Sequence, residues 1–387
     1  MRGVSIIGAY ETKFGILKDR SLRGLIAEAG NSAIRDAGIE KKAIQALYVG
    51  NYAANEFNNQ NVMAAYVATV LGLNNIPYIR LEGACASGGL ALREGFIAVA
   101  SGIYDFVLVL GVEKMNTKET PDIMDILAKG MDMDLEANLG VNGPTGFALF
   151  AQRHMYEFGT TKEQMAYVAV KNYNNGLKNP DAHLRKKITI EDVLNAPIIS
   201  TPFGLHDCCL VTDGAAAVVL CPSEIAKRYN DKPIDIIGSG TSGNFFNFFE
   251  KSSLVSFEAT QKAAKEAYDM AKVSPDDIDL AEVHDCFTTT EIIDIEDLGF
   301  FKKGEGGPAS KDGKTTIDGE IAINASGGLK SKGHPIGATG VAQTVEISYQ
   351  LRRLAGERQV KEAEIGLTHV IGGPASICSV HILRRGF

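Results

Sequence analysis

Short apolar runs alternate with longer amphipathic stretches along the chain, the pattern of an α/β protein. Val4-Ser5-Ile6-Ile7-Gly8 has the length and branching of a first buried strand. Across residues 21–37, Leu22, Ile26, Ala29 and Ala33 recur at helical spacing and form one apolar face. Leu47-Tyr48-Val49-Gly50 and residues 106–112 read as further buried strands. The pattern then recurs. Residues 33–39, continued through Ile44 to Leu47-Tyr48-Val49-Gly50-Asn51, match residues 267–273, continued through Ile278 to Ala281-Glu282-Val283-His284-Asp285. In both copies a helix ends, a short polar turn follows, and an apolar strand closes on a polar tip. The offset of 234 residues, from Ala33 to Ala267, divides the chain into similar halves, 1–233 and 234–387. A second echo pairs Ser87-Gly88-Gly89-Leu90 with Ser326-Gly327-Gly328-Leu329.

Between the halves, residues 114–201 lose this regularity and are rich in Met, Asn, Asp and Pro. Thr120-Pro121-Asp122, Asn142-Gly143-Pro144-Thr145 and Asn179-Pro180-Asp181 are turn or helix-start signals. The stretch reads as an inserted loop region, an excursion from the first half that serves as lid, substrate wall or oligomer contact.

Composition narrows the function classes. The 387 residues suffice for two or three domains' worth of core, and 45% hydrophobic with 22% charged residues is ordinary for a folded enzyme. A net charge of −8, with no basic block beyond Arg185-Lys186-Lys187, argues against a nucleic-acid partner. The longer apolar runs, such as residues 215–221, are too short to span a bilayer. Glu11 interrupts the N-terminus before a signal-peptide core could form, so a cytoplasmic location is expected. The six cysteines, at 85, 208, 209, 221, 286 and 378, show no CxxC spacing, which argues against structural zinc and a disulfide framework.

Candidate chemistry gathers in a few strings. Gly333-His334-Pro335-Ile336-Gly337-Ala338 sets one imidazole in a glycine-rich run at the mouth of a helix, the setting of a general base or of a plain turn with an incidental His. Cys85, in Gly83-Ala84-Cys85-Ala86-Ser87-Gly88-Gly89, opens a helix whose dipole favours a thiolate. By itself it reads equally as a nucleophile or as a small core thiol. Glu282-Val283-His284-Asp285-Cys286-Phe287 follows the repeated strand, and a period of two lets His284 and Cys286 face one cleft. His206-Asp207-Cys208-Cys209 is similar in type but reads as structural. His369-Val370-Ile371-Gly372-Gly373-Pro374 offers exposed backbone N–H groups, the material of an oxyanion hole or of a simple turn.

Taken in order, these strings resemble the thiolase superfamily, in the sterol-carrier-type branch that includes short archaeal acetoacetyl-CoA thiolases. Further matching motifs are residues 153–161, 178–182 and Thr212-Asp213-Gly214-Ala215-Ala216-Ala217. The resemblance implies two similar halves in five αβαβα layers. It implies acetyl-CoA C-acetyltransferase activity, a reversible Claisen condensation of two acetyl-CoA to acetoacetyl-CoA that feeds the mevalonate pathway. By the same resemblance Cys85 is the acyl-accepting nucleophile and His334 the base that takes its proton. His284 helps hold an enolate oxygen, and the backbone N–H groups of Cys85 and Gly372 hold the thioester oxygen. Where many thiolases carry a second catalytic Cys before Ile-Gly-Gly, this chain has Val370, so the acid/base role passes to Cys286. Cys378 points elsewhere. Lys332 and Arg185 are candidates for the CoA phosphates. No cofactor or metal is implied, coenzyme A entering only as the substrate thioester. The implied partners are a second copy, as homodimer or homotetramer, and a complex with 3-hydroxy-3-methylglutaryl-CoA synthase and a small zinc-binding OB-fold protein. The competing readings are a ketoacyl synthase or 3-hydroxy-3-methylglutaryl-CoA synthase on the same fold, and a non-catalytic subunit of an acyl-CoA-handling complex.

Overall fold

The computed structural model describes residues 2–387, and the main strands fall into two sets of five. The first set is β1 (Val4–Glu11), β2 (Ala46–Gly50), β3 (Tyr78–Leu81), β4 (Val107–Glu113) and β5 (Gly214–Pro222). The second is β6 (Ile234–Gly243), β7 (Leu280–Glu282), β8 (Ala322–Ile323), β9 (Ile365–Gly372) and β10 (Ile377–Arg385). In space the first set runs β3-β2-β4-β5-β1 and the second β8-β7-β9-β10-β6, the same order twice. Three strands of each set are parallel, and the other two join antiparallel. The half-sheets meet where β1 pairs antiparallel with β6, Val4 opposite Ile236 and Ile6 opposite Ile234.

Eight helices position the site: α1 (Leu22–Asp36), α2 (Ser87–Ala100), α3 (Thr120–Ala128), α4 (Gly143–Phe158), α5 (Lys162–Leu177), α6 (Glu258–Ala271), α7 (Thr288–Asp297) and α8 (Thr339–Leu351). Helix α1 covers the outer face of the first half-sheet and α6 that of the second, while α2 and α8 pack together between them. This is the five-layer αβαβα arrangement. Strand alternation explains it. Val107, Val109, Val218 and Leu220 face the central layer with Leu92, Phe96, Val341 and Val345. Their neighbours Leu108, Leu110 and Val219 face α1 with Leu25, Ile26 and Ala33. Strands covered on both faces read as continuous apolar runs, and each such side chain contributes roughly 1.5–3 kcal/mol on burial.

Ala33 and Ala267, the heads of the first echo, are both buried, on α1 and α6. The second echo does not mark equivalent elements. Ser87 opens α2, whereas Ser326-Gly327-Gly328 leads into a single helical turn, Gly328–Ser331, and the central partner of α2 is α8.

The stretch 114–201 corrects the expectation of an irregular loop region. It holds α3, α4 and α5: Pro121 stands in the first turn of α3, Asn142 caps α4 and Thr161 caps α5. Asn142 Oδ1 accepts from Thr145 N (3.1 Å) and Thr161 Oγ1 from Gln164 N (3.2 Å). It docks on the second half: Asn172 Nδ2 donates to Asp285 and Glu291 (2.7 Å each), and Lys171 pairs with Glu291 at 2.7 Å. Asn175 and Asn179 donate to the carbonyls of Asn324 (3.0 Å) and Ser326 (2.9 Å). Asn favours turns because its side chain competes for local backbone groups. Here tertiary partners absorb that capacity and the helix persists. Among the described residues no helix is long and apolar enough to cross a membrane.

The central helices touch backbone to backbone: a Cβ on Gly340 would lie 2.4 Å from Gly89 N, and one on Gly88 2.9 Å from the Gly337 carbonyl oxygen. No side chain stands at that crossing to give way. Gly340→Ala is expected to lower stability by about 1–3 kcal/mol, as overpacking does, read from the shift of a chemical denaturation curve.

Candidate active site

Cys85 occupies a single 3-10 turn, Ala84–Ala86, that leads into α2, and His334 precedes the turn Ile336–Ala338 that leads into α8. The helix crossing therefore sets one residue from each half side by side. His334 Nε2 lies 3.2 Å from Cys85 Sγ, and Nδ1 lies 2.7 Å from Thr339 Oγ1. Thr339 Oγ1 donates its own proton to the Pro335 carbonyl at 3.0 Å. It must then accept from Nδ1–H, which leaves the Nε2 lone pair facing the thiol.

The segment after β7 supplies the next groups. His284 and Cys286 line the same cavity as Cys85 and His334. Asp285, between them, turns inward and accepts from Leu329 N and Asn172 Nδ2, both at 2.7 Å. The His284 and His334 rings stand edge to face, 5.1 Å between centroids. One donor atom each from Cys85, His284 and His334 falls within 4.8 Å of the others, the spacing that could hold a metal ion.

Burial sets the protonation states. It pushes the Cys85 thiol well up, with Cys209 next in effect, and pushes Cys286 up in the same way. It lowers His334 to about 3, and holds His284 well below the usual imidazole range with His334 and His369 adding to the effect. At Cys85 burial opposes the pull of the helix dipole, and with His334 held low the same burial disfavours a standing thiolate–imidazolium pair.

The cavity holds about 470 Å³. Met115, Met124, Leu127, Met131 and Phe147 make one wall, so the inserted stretch does line the site, while Leu205, Leu210 and Phe287 contribute others. Cys208 and Cys209, read from sequence as structural, also line it, and Cys209 N donates to the Cys286 carbonyl at 2.8 Å. Burial pushes their thiols up to about 11 and about 12. The only signal available for them was the adjacent pair itself. Tyr52 is a further lining residue that sequence reasoning passed over, and Gly373, from the glycine pair after β9, lines the cavity too.

Gly372 lies against the nucleophile turn: a Cβ there would sit 2.0 Å from the Gly83 carbonyl oxygen, so no side chain fits. Val370 faces Gly89 of α2, and Cys378 is buried beside Thr260 Oγ1 at 3.7 Å, outside the cavity. His369 is enclosed, with Nε2 2.9 Å from Thr260 Oγ1. Neither proposed CoA contact lines the cavity. Lys332 is buried in an ion pair with Glu11 at 2.7 Å and also donates to the Ala342 carbonyl. Arg185 is exposed, its guanidinium on the Leu177 carbonyl. Lysine's charge drew the expectation to the surface; a buried carboxylate holds it inside.

Comparison with known proteins agrees with this arrangement. The family model for "Thiolase, N-terminal domain" matches residues 4–224, and that for "Thiolase C-terminal domain-like" matches 240–385. An acetyl-CoA acetyltransferase of Methanothermobacter thermautotrophicus is 49% identical over 385 residues, covering 100% of both chains. A protein of the same name from Methanocaldococcus jannaschii is 42% identical over 99% of each. Sterol carrier protein 2 of Bos taurus is 34% identical over 99% of this chain and 72% of its own length. Among solved structures, the Ltp2-ChsH2(DUF35) aldolase aligns with a TM-score of 0.87 and 25% identity over 99% of this chain and 98% of that one. Human mitochondrial 3-ketoacyl-CoA thiolase in complex with CoA aligns with a TM-score of 0.76 and 18% identity over 99% and 98%, a likeness of fold alone. With both family models matched across nearly its full length, this chain belongs to the thiolase family.

Proposed function

We propose that the chain is an acetyl-CoA C-acetyltransferase that joins two acetyl-CoA into acetoacetyl-CoA and CoA, reversibly, through acetyl-Cys85. The observation that carries the reading is the Cys85–His334 contact of 3.2 Å with the tautomer set by Thr339. Full-length identity of 49% to an acetyl-CoA acetyltransferase supports it.

The chemistry balances with the groups present. Cys85 Sγ forms a bond to the acetyl carbonyl as its proton passes to His334 Nε2, and the C–S bond to CoA breaks. The departing CoA thiolate takes the Cys286 proton, which leaves Cys286 as a thiolate base. That thiolate removes an α-proton from a second acetyl-CoA while a His284 N–H steadies the enolate oxygen. The enolate carbon attacks acetyl-Cys85, and the released Cys85 sulfur recovers its proton from His334. Splitting the condensation this way replaces one hard step by two easier ones. The backbone N–H groups of Cys85 and Gly372 hold the acyl oxygen in this scheme. Close packing of Gly372 on the nucleophile turn supports that assignment.

None of the cavity-lining residues is Lys or Arg. A cavity lined without Lys or Arg fits a partner that supplies part of the CoA phosphate cradle, such as a small OB-fold protein in complex with a downstream synthase. The structural likeness to an aldolase assembled with a DUF35 chain supports this reading. Homo-oligomerisation fits the free outer edge of β3, where Tyr78 and Ile79 are 45% and 52% exposed.

A condensing enzyme of the ketosynthase type would also use Cys85, His284 and His334, and Cys286 separates the two readings. Intact-protein mass after incubation with acetyl-CoA should show a single acetyl adduct on wild type and none on Cys85→Ser; an adduct retained on Cys85→Ser would remove the nucleophile assignment, and an unmodified wild type would point to a missing partner or to a binding role. Cys286→Ala should still take up the acetyl group yet lose condensation, and undiminished acetoacetyl-CoA formation would favour the ketosynthase-like reading. His284→Ala should lower turnover by about 10²–10³-fold, the usual loss for one oxyanion donor. His284→Asn, which restores an N–H donor, should recover part of that loss in the same steady-state assay.

A further inference from the structure

Glu113 ends β4, wholly buried and outside the cavity wall, and touches neither cysteine nor imidazole by any hydrogen bond. Its carboxylate is nevertheless fully engaged. Oε1 accepts from Asn51 Nδ2 (2.9 Å) and Ala53 N (3.1 Å), and Oε2 accepts from Tyr52 N (2.7 Å) and Gly337 N (3.1 Å). Two donors on each oxygen use the capacity of an ionised carboxylate. Three of the four are backbone N–H groups, and they come from both halves. Residues 51–53 leave β2 in the first half and include the cavity wall Tyr52. Gly337 belongs to the turn Ile336–Ala338 in the second half, three residues beyond His334. Arg80 secures the other side of the same segment by donating to the carbonyls of Asn51 and Tyr52.

We propose that Glu113 is a positioning residue for proton transfer, tying the turn that carries His334 to the half that carries Cys85. The inference rests on the reading of Cys85 and His334 as nucleophile and base. Thr339 fixes which His334 nitrogen faces the thiol, but it lies on the same segment as His334 and cannot fix where that segment sits. Two contacts with the first half do: the backbone bridge between Val211 and His334 before the turn, and the Gly337 N–H bond to Glu113 within it. Without the second a buried N–H loses its partner, the turn relaxes toward another acceptor, and the 3.2 Å contact lengthens. Supporting groups that hold reacting atoms within a fraction of an ångström govern turnover more than substrate binding.

The test is Glu113→Gln, whose amide nitrogen must face N–H donors, with Glu113→Asp, which keeps the charge but withdraws it from Gly337, as a second variant should the first fail to fold. Turnover is expected to fall by about 10²-fold, with KM changed less than about threefold. The discriminating readout is alkylation of Cys85 by iodoacetamide across pH on wild type, both Glu113 variants and His334→Ala. The Glu113 curves should move toward that of His334→Ala, with Asp between wild type and Gln. A variant that melts lower but alkylates like wild type would overturn the proposal and leave Glu113 as fold support only. Coincident curves for wild type and His334→Ala would remove His334 as the base and the proposal with it.

Discussion

The backbone contact between α2 and α8 is the constraint from which the rest of the site follows. Helices with side chains at their crossing keep their axes 8–10 Å apart, and the segments entering them would stand correspondingly further from each other. Glycines at 88, 89 and 340 remove that spacer. The turns at the two N-termini then converge, and a sulfur from one half meets an imidazole nitrogen from the other. The half-sheets on either side hold this geometry because their inner strands, such as β4 and β5, are buried on both faces.

Enclosure has a chemical cost that the arrangement meets locally. An apolar cavity raises thiols and lowers imidazoles, so separated charge is disfavoured at rest. A neutral thiol with a neutral base in contact needs no standing ion pair. Charge forms only as the sulfur attacks, when the oxygen of the acyl group and the N–H groups around it share the load. The buried ionic groups around the site are satisfied away from the cavity: Asp285 by Asn172 and Leu329 N, Glu282 by Ser326, Lys332 by Glu11. They hold loops in place and leave the reacting surface apolar.

Much of this was legible in the sequence because its causes are local. Two-sided burial writes continuous apolar strands, and the duplicated order of strands leaves its trace at Ala33 and Ala267. Chemistry-bearing residues at Cys85, His284, Cys286 and His334 sit in glycine-rich or strand-end contexts that short-range reasoning can find. What escaped depends on distant partners. Helix α5 is written in Asn and Lys whose acceptors lie more than a hundred residues on, so its local signals favour a loop. Lys332 looks like a surface cation until Glu11, from the other end of the chain, is placed beside it. Cys208 and Cys209 join the cavity through a backbone bridge to Cys286 that no spacing rule announces.

The seam between the half-sheets carries a different kind of information. Strands β1 and β6 are the first of their respective sets, and they run antiparallel with Ser5 opposite Asp235. Two identical chains related by a twofold axis pair equivalent strands in this way, each element meeting its own copy. A twofold homodimer is obliged to place the same residue on both sides of its axis. Joining the copies in one chain lifts that obligation, and here the release is used at the site: a thiol leads into one central helix and an imidazole into the other. The reaction needs a donor and an acceptor of a proton, two unlike partners, and a covalently joined pseudo-dimer is a scaffold in which unlike partners can occupy like positions.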